Sequence, residues 1–275
     1  MSCRLVLCDM DGTLLRRDKT ISEKTAAVLA RLHERGILFV PATGRFYNGL
    51  PEFIRSVPGL RYCILMNGAL LLDLETNTAL RRADIPTERA LEILRFMETL
   101  PMTRDVYIRD CESWMEREFR EDLEHWVVDP QIRALIEATR KPVDGLAEYI
   151  RRTALPVHKL QGFFQNEETH LAGLSAIRSR FPDMNITCTV PLNVEINSPA
   201  ADKGQALIAL MEHLGIAPEE VIAFGDESND ITMLRAAGTG VAMGNASDAV
   251  KAAADSICGT NEEDGVAEVL LHRVL

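Results

Sequence analysis

Basic residues are in deficit in this sequence: 30 Lys and Arg stand against 41 Asp and Glu, a formal net charge of −11 over 275 residues. Binding a nucleic-acid backbone needs basic surface, so no nucleic-acid partner is expected. A small phosphorylated ligand remains compatible, because one metal ion or one lysine reverses the field locally. Aromatics are scarce at 5%, yet hydrophobic residues reach 47%. That mix is common in α/β proteins and suffices for one large core, or for a core with an inserted domain. No apolar run approaches the roughly 18 residues of a membrane span, so no membrane partner is expected. The cysteines at 3, 8, 63, 111, 188 and 258 form no C-x-x-C pair. A zinc site is therefore not expected, and a chain this long needs no disulfide framework; reduced thiols in a cytoplasmic protein are the expectation. The opening "MSCRLVLCD" has one Arg and a short apolar run that meets acids at once, which does not read as a signal peptide.

Short apolar runs alternate with helical patterns at both ends of the chain. "LVLC" reads as a buried strand. In "TISEKTAAVLARLHERG" the residues Thr25, Val28, Leu29 and Leu32 repeat with helical spacing, Thr20 and Glu23 have capping-box spacing, and Gly36 stops the helix. "ILFVPATGR" and "YCILMNG" read as two more strands, and a hairpin follows with Thr76 and Asn77 near its turn. Towards the C-terminus "DKGQALIALMEHLG", "VIAFGD", "DITMLRAAG" and "GVAMGNA" resume the alternation. This rhythm predicts a parallel sheet with helices on both faces. The middle differs, with hairpin-like strands, helices and both tryptophans, and reads as a separate α+β domain. The predicted organisation is a core from 1–83 and 191–275, with an inserted domain at 84–190.

Chemistry-bearing residues gather where the core strands end. Asp9, Met10, Asp11, Gly12 and Thr13 follow the first strand; Thr43, Gly44 and Arg45 follow the second; Gly225 to Asp230 follow "VIAF", with Lys203 opening the helix before it. Ligands of open parallel sheets bind at the carboxyl ends of the strands. A strand driven into two like charges makes sense if a cation sits there. Mg²⁺ takes oxygen ligands, with Asp9 and Asp226 as side-chain candidates, a carbonyl at Asp11 completing the protein's share, and Asp230 and Glu227 further out. A phosphoryl group then fits beside it. Lys203, Thr43, Asn229 and the amides around Met10 and Gly44 are the candidate phosphate contacts. Asp9 is placed to attack phosphorus, and Asp11 to exchange a proton with the leaving group and with water.

These residues resemble the haloacid dehalogenase superfamily. "DMDGTLL" matches its first motif, "ATGR" the threonine motif, Lys203-Gly204 the lysine motif and "GDESND" the acidic motif. "MNGA", "GVAMGNA", "VKAAAD" and "NEEDGVA" resemble further motifs of the Cof-type subfamily. The resemblance implies an α/β fold: a Rossmannoid, doubly wound parallel-sheet core with an inserted cap domain. It also implies a Mg²⁺-dependent phosphatase of small phosphate esters, sugar phosphates first and phosphorylated cofactors such as pyridoxal phosphate or FMN next. Carried over by residue, Asp9 is the nucleophile and Asp11 the acid/base. Asp9, Asp11 and Asp226 hold the metal, and Met10, Thr43, Gly44, Lys203 and Asn229 contact phosphate.

Two other readings share these residues: a phosphomutase passing through the same aspartyl phosphate, and a non-catalytic binding module on the same fold. Release of inorganic phosphate separates the first reading from both. No obligate protein partner is inferred. Arg45 is balanced between substrate and a surface acid; Cys8 is expected to be a small buried hydrophobe, Trp114 and Trp126 to pack within the inserted domain, and His158 to lie at the surface.

Overall fold

The computed structural model describes residues 3–108 and 112–275. The middle of the predicted hairpin over 103–117, Cys111 included, lies outside them. The chain forms two compact units, one of residues 1–45, 50–82 and 202–275, the other of 46–49 and 83–201.

In the first unit the early strands are β1 (Leu5–Cys8), β2 (Leu38–Pro41), β3 (Tyr62–Leu65), β4 (Leu70–Asp73) and β5 (Thr78–Arg82). The second unit carries β6 (Asp105–Ile108), β7 (Glu112–Glu116), β8 (Arg140–Val143), β9 (Val157–Phe163), β10 (Asn185–Thr187) and β11 (Asn193–Asn197). The first unit resumes with β12 (Val221–Gly225), β13 (Thr239–Ala242) and β14 (Ser256–Ile257).

Five of these form a parallel sheet in the order β14-β13-β12-β1-β2. All four residues of β1 are fully buried, as a strand covered on both faces requires. Leu5, Leu7, Val40 and Ala223 pack with Ala206, Leu207, Leu210 and Met211 of the helix Lys203–Leu214. β3, β4 and β5 form an antiparallel sheet, joined by one bridge from Ala42 to Ile64. The β4–β5 hairpin turns at the expected place, with Asn77 at positive φ. The first helix runs Glu23–Glu34 with Val28, Leu29 and Leu32 inward. Its N-cap is Ser22, whose hydroxyl accepts from the Thr25 amide, and not Thr20, which binds Asp18 instead. The structure is thus α/β with a parallel central sheet.

The second unit holds a six-stranded sheet, β10-β11-β9-β6-β7-β8. Its strands alternate. Val106, Ile108, Leu160, Val194 and Ile196 join an apolar cluster with Leu91, Leu94 and Met97 of the helix Thr87–Met97. The intervening residues are polar yet buried. Lys159 Nζ donates to Glu195 Oε1 at 2.8 Å, Arg140 Nε to Asp105 Oδ2 at 3.2 Å, and Tyr107 Oη to Gln161 Oε1 at 2.9 Å.

This division differs from the predicted one at residues 46–49, expected in the core, and at the C-terminal edge. Residues 191–201, expected in the core, cluster with the second unit. The reason is β11, which pairs antiparallel with β9 over five residues, Asn193 opposite Phe163 through Asn197 opposite Lys159. "NITCTV" yields a strand of only three residues, and Arg140, expected in a helix, opens β8.

Candidate active site

The β1 backbone continues into the site through the Asp9 amide, which donates to Phe224 O of β12 at 3.0 Å. The chain then folds back at once: the Leu14 amide reaches Asp9 O and the Leu15 amide reaches Met10 O. Gly12 makes this turn possible. Its φ is +85°, and a Cβ there would lie 2.3 Å from Asp226 Oδ2. Gly68 does the same after β3, where φ is +89° and a Cβ would lie 2.3 Å from Asp202 O at the start of the Lys203 helix.

Lys203 is 1% exposed and its ammonium sits between two acids. Nζ donates to Asp9 Oδ1 at 2.7 Å and to Asp230 Oδ1 at 2.6 Å. Asp230 Oδ2 accepts from the amides of Asp226 and Glu227, at 3.0 and 2.9 Å. Asp230 therefore spends both oxygens on holding Lys203 and shaping the acidic loop. Asp226 Oδ1 accepts from the Thr13 hydroxyl at 2.6 Å, and Oδ2 faces Asn245 Nδ2 at 3.4 Å. Asp9 Oδ2 has no hydrogen-bond partner among the described residues, which leaves it open to an electrophile.

Burial and charge set the protonation of this group. Burial raises the Asp9 carboxyl well above the carboxylate range, and Lys203 offsets only part of that. Burial likewise pushes Asp226 up to about 7; the Thr13 hydrogen bond opposes the rise, and Asp230 and Glu227 add to it. Burial works against the Lys203 ammonium, but Asp230 and Asp9 outweigh it and raise its pKa. Two of these buried carboxylates hold the one ammonium, and Asp226 lies beside them without contacting it.

Asp9, Asp226 and Asp230 each offer a carboxylate oxygen, and the three lie within 4.8 Å of one another. Their donors are all hard oxygens, and the group is short of positive charge. That combination fits a divalent cation of the Mg²⁺, Ca²⁺ or Mn²⁺ type rather than a soft metal.

The Asp11 side chain does not join this group. Arg45 Nε donates to Asp11 Oδ2 at 2.8 Å, while Arg45 Nη2 and Lys19 Nζ reach Oδ1 at 2.7 and 2.8 Å. Burial alone raises its pKa, but Arg45 and then Lys19 outweigh it and bring the carboxyl down to about 2. Thr43 is buried, and its hydroxyl accepts from the Arg45 amide at 3.1 Å. Asn229 Nδ2 donates to Asn67 Oδ1 at 3.1 Å, and Asn67 is held at φ +59°. Met10 is buried at the turn, and Gly44 lies between Thr43 and Arg45. The first unit thus gathers Asp9, Thr43, Lys203, Asp226, Asn229 and Asp230 at the carboxyl ends of its strands. Glu227 is exposed and stays outside the acid cluster.

Four polar partners carry no role on sequence grounds alone. Thr13, Asn67 and Asn245 stand inside the quoted motifs "DMDGTLL", "MNGA" and "GVAMGNA", so a signal was available. Lys19 had none, since nothing local marks a loop lysine as the partner of an acid eight residues back.

A buried acid at the end of a parallel strand, beside a lysine and two further acids, places a charged candidate site where ligands of parallel sheets bind. The sequence matches the haloacid dehalogenase-like hydrolase family over residues 6–270, and the chain belongs to that family. It is 32% identical to a putative phosphatase of Haemophilus influenzae, with 98% of each chain covered. It is 28% identical to the pyridoxal phosphate phosphatase YbhA of Escherichia coli over the full length of both. Among solved structures, a haloacid dehalogenase-like hydrolase from Bacteroides thetaiotaomicron superposes with a TM-score of 0.82 at 30% identity, covering 98% of this chain and 99% of that one.

Proposed function

We propose that this protein is a Mg²⁺-dependent phosphatase of small phosphate monoesters that works through an aspartyl phosphate on Asp9. The observation that carries the reading is the Asp9 carboxylate itself. One oxygen is pinned by Lys203 and the other is open, at the end of a rigid buried strand.

In the first step Asp9 Oδ2 forms a bond to phosphorus while the bond from phosphorus to the ester oxygen breaks. Asp11 gives its proton to that oxygen as it leaves. A phosphate ester brings negative charge beside Arg45 and Lys19, which offsets their pull on Asp11 and favours the proton there. In the second step Asp11 takes a proton from water, the water oxygen bonds to phosphorus, and the bond to Asp9 breaks. Lys203, the Thr43 hydroxyl, Asn229 and the amides of Met10 and Gly44 hold the phosphoryl oxygens as charge shifts onto them. Asp9, Asp226 and the Asp11 carbonyl would hold Mg²⁺, with Asp230 behind them. When bound, the ion neutralises the acids and polarises a phosphoryl oxygen. Sugar phosphates and pyridoxal phosphate head the expected substrates, the latter also the named substrate of a full-length relative. A cytoplasmic location follows the small-metabolite reading. Among the described residues, no helix is long and apolar enough to cross a membrane.

A phosphate-release screen over a panel of esters, with Mg²⁺ and with chelator, tests this. Release should require the ion. Asp9→Asn should keep the fold by circular dichroism and lose on the order of 10⁶-fold in turnover, as removal of a nucleophile does. Retained activity in that variant removes Asp9 from the mechanism.

A further inference from the structure

We propose that Lys19 is a positioning residue for the proton-transfer group: with Arg45 it turns the Asp11 carboxylate so that one lone pair on Oδ2 is its only open site. The inference rests on the phosphatase reading of the same site. An ionised carboxylate has about four acceptor positions, two on each oxygen. Oδ1 uses both of its positions, one for Lys19 Nζ at 2.8 Å and one for Arg45 Nη2 at 2.7 Å. Oδ2 uses one, for Arg45 Nε at 2.8 Å. The remaining position on Oδ2 is therefore where a proton or a water must sit. Arg45 alone makes a planar, side-on pair that leaves a position open on each oxygen. The lysine removes the ambiguity.

The backbone around Lys19 is shaped for this contact. Lys19 adopts φ +64°, a left-handed conformation that a lysine does not favour. The turn is closed by the Lys19 amide on Arg16 O and the Arg16 amide on Thr20 O, both at 2.9 Å. Asp18 Oδ1 braces it by accepting from the amide and hydroxyl of Thr20 at 3.0 and 2.6 Å. The loop is also tied to the C-terminal part of the same unit. Arg16 Nη2 pairs with Asp264 at 3.0 Å, and the Arg17 amide donates to Glu262 Oε1 at 2.8 Å. A strained residue on a turn held from three sides is a device for placing one side chain. Here that side chain is an ammonium on Asp11.

The experiment compares kcat/KM of Lys19→Met with wild type on two esters in Mg²⁺. One is an alkyl phosphate, whose alkoxide must be protonated to leave. The other is p-nitrophenyl phosphate, whose phenolate leaves without a proton. Because kcat/KM reports the steps through departure of the leaving group, a misaligned Asp11 lowers it for the alkyl ester only. The expected loss is about tenfold there, a fraction of what a general acid contributes, and less than twofold on p-nitrophenyl phosphate. Lys19→Arg should recover most of the alkyl-ester activity, and the thermal midpoint should stay within about 2 °C, as for an exposed turn. An equal loss on both esters would show that Lys19 acts on the phosphate and overturn the proposal, as would no loss at all. Absence of phosphate release from either ester by the wild-type protein would instead sink the phosphatase reading beneath it.

Discussion

Replacing Asp226 with Asn should make the metal-free protein more stable at alkaline pH while disabling it. The Asp226 carboxyl is 8% exposed and is pushed up to about 7 from its ordinary value of 3.8. At about 1.4 kcal/mol per pH unit, holding it ionised in the fold disfavours the native state by up to ~4 kcal/mol. The sign follows from linkage: between about pH 4 and pH 7 the folded protein binds this proton and the unfolded chain has lost it, so stability falls as pH rises. Above that window the penalty is complete and level. Asn is neutral throughout and can still accept from the Thr13 hydroxyl, though a neutral acceptor is weaker by about 1 kcal/mol, and its new amide donors need partners. The net gain should be ~2 kcal/mol at pH 8, or about 5 °C in a chain of this size, and close to nothing at pH 4. The assay is thermal or urea unfolding in chelator across that range. In excess Mg²⁺ the order should reverse, because the wild type gains from binding the ion and the variant lacks a ligand. A variant less stable than wild type at pH 8 in chelator refutes the reasoning, as does one that Mg²⁺ stabilises equally.

Two further outcomes follow from the packing. Gly12→Ala combines an unfavoured positive φ with a Cβ pressed on the Asp226 carboxylate; it should lower kcat at least tenfold and destabilise by about 1–3 kcal/mol, read by phosphate release and urea titration. Lys159→Met removes a buried ammonium that donates to Glu195 and should destabilise by about 3 kcal/mol; Lys159→Met with Glu195→Gln should recover part of that, since the carboxylate that loses this donor is then neutral.

The residues of the candidate site are legible as candidates because their signal is local. Each stands directly after an apolar strand or at the start of a helix, and Asp9, Thr43, Lys203 and Asp226 are found where that rhythm puts them. How they interact was not legible. Asp230 ranks behind the candidate metal ligands on sequence grounds, yet it is the acid whose two oxygens hold Lys203 and the loop amides. Asp11 reads as a partner of Asp9 in "DMD", yet its carboxylate turns to Arg45 and Lys19. The Asn67–Asn229 contact joins two segments whose side chains carry no mark of each other.

The sequence by itself determined where most strands and helices of the parallel-sheet unit lie, which strand ends carry acids, and that the centre of the chain departs from the α/β rhythm. These are consequences of periodicity, capping and turn chemistry, which act over a few residues. Only the tertiary structure decided which unit claims β11, which acid binds the buried lysine, and which cations orient Asp11. Those choices depend on pairing between residues far apart in the chain, where burial makes one hydrogen bond or one unmatched charge worth several kcal/mol and no local pattern records the partner.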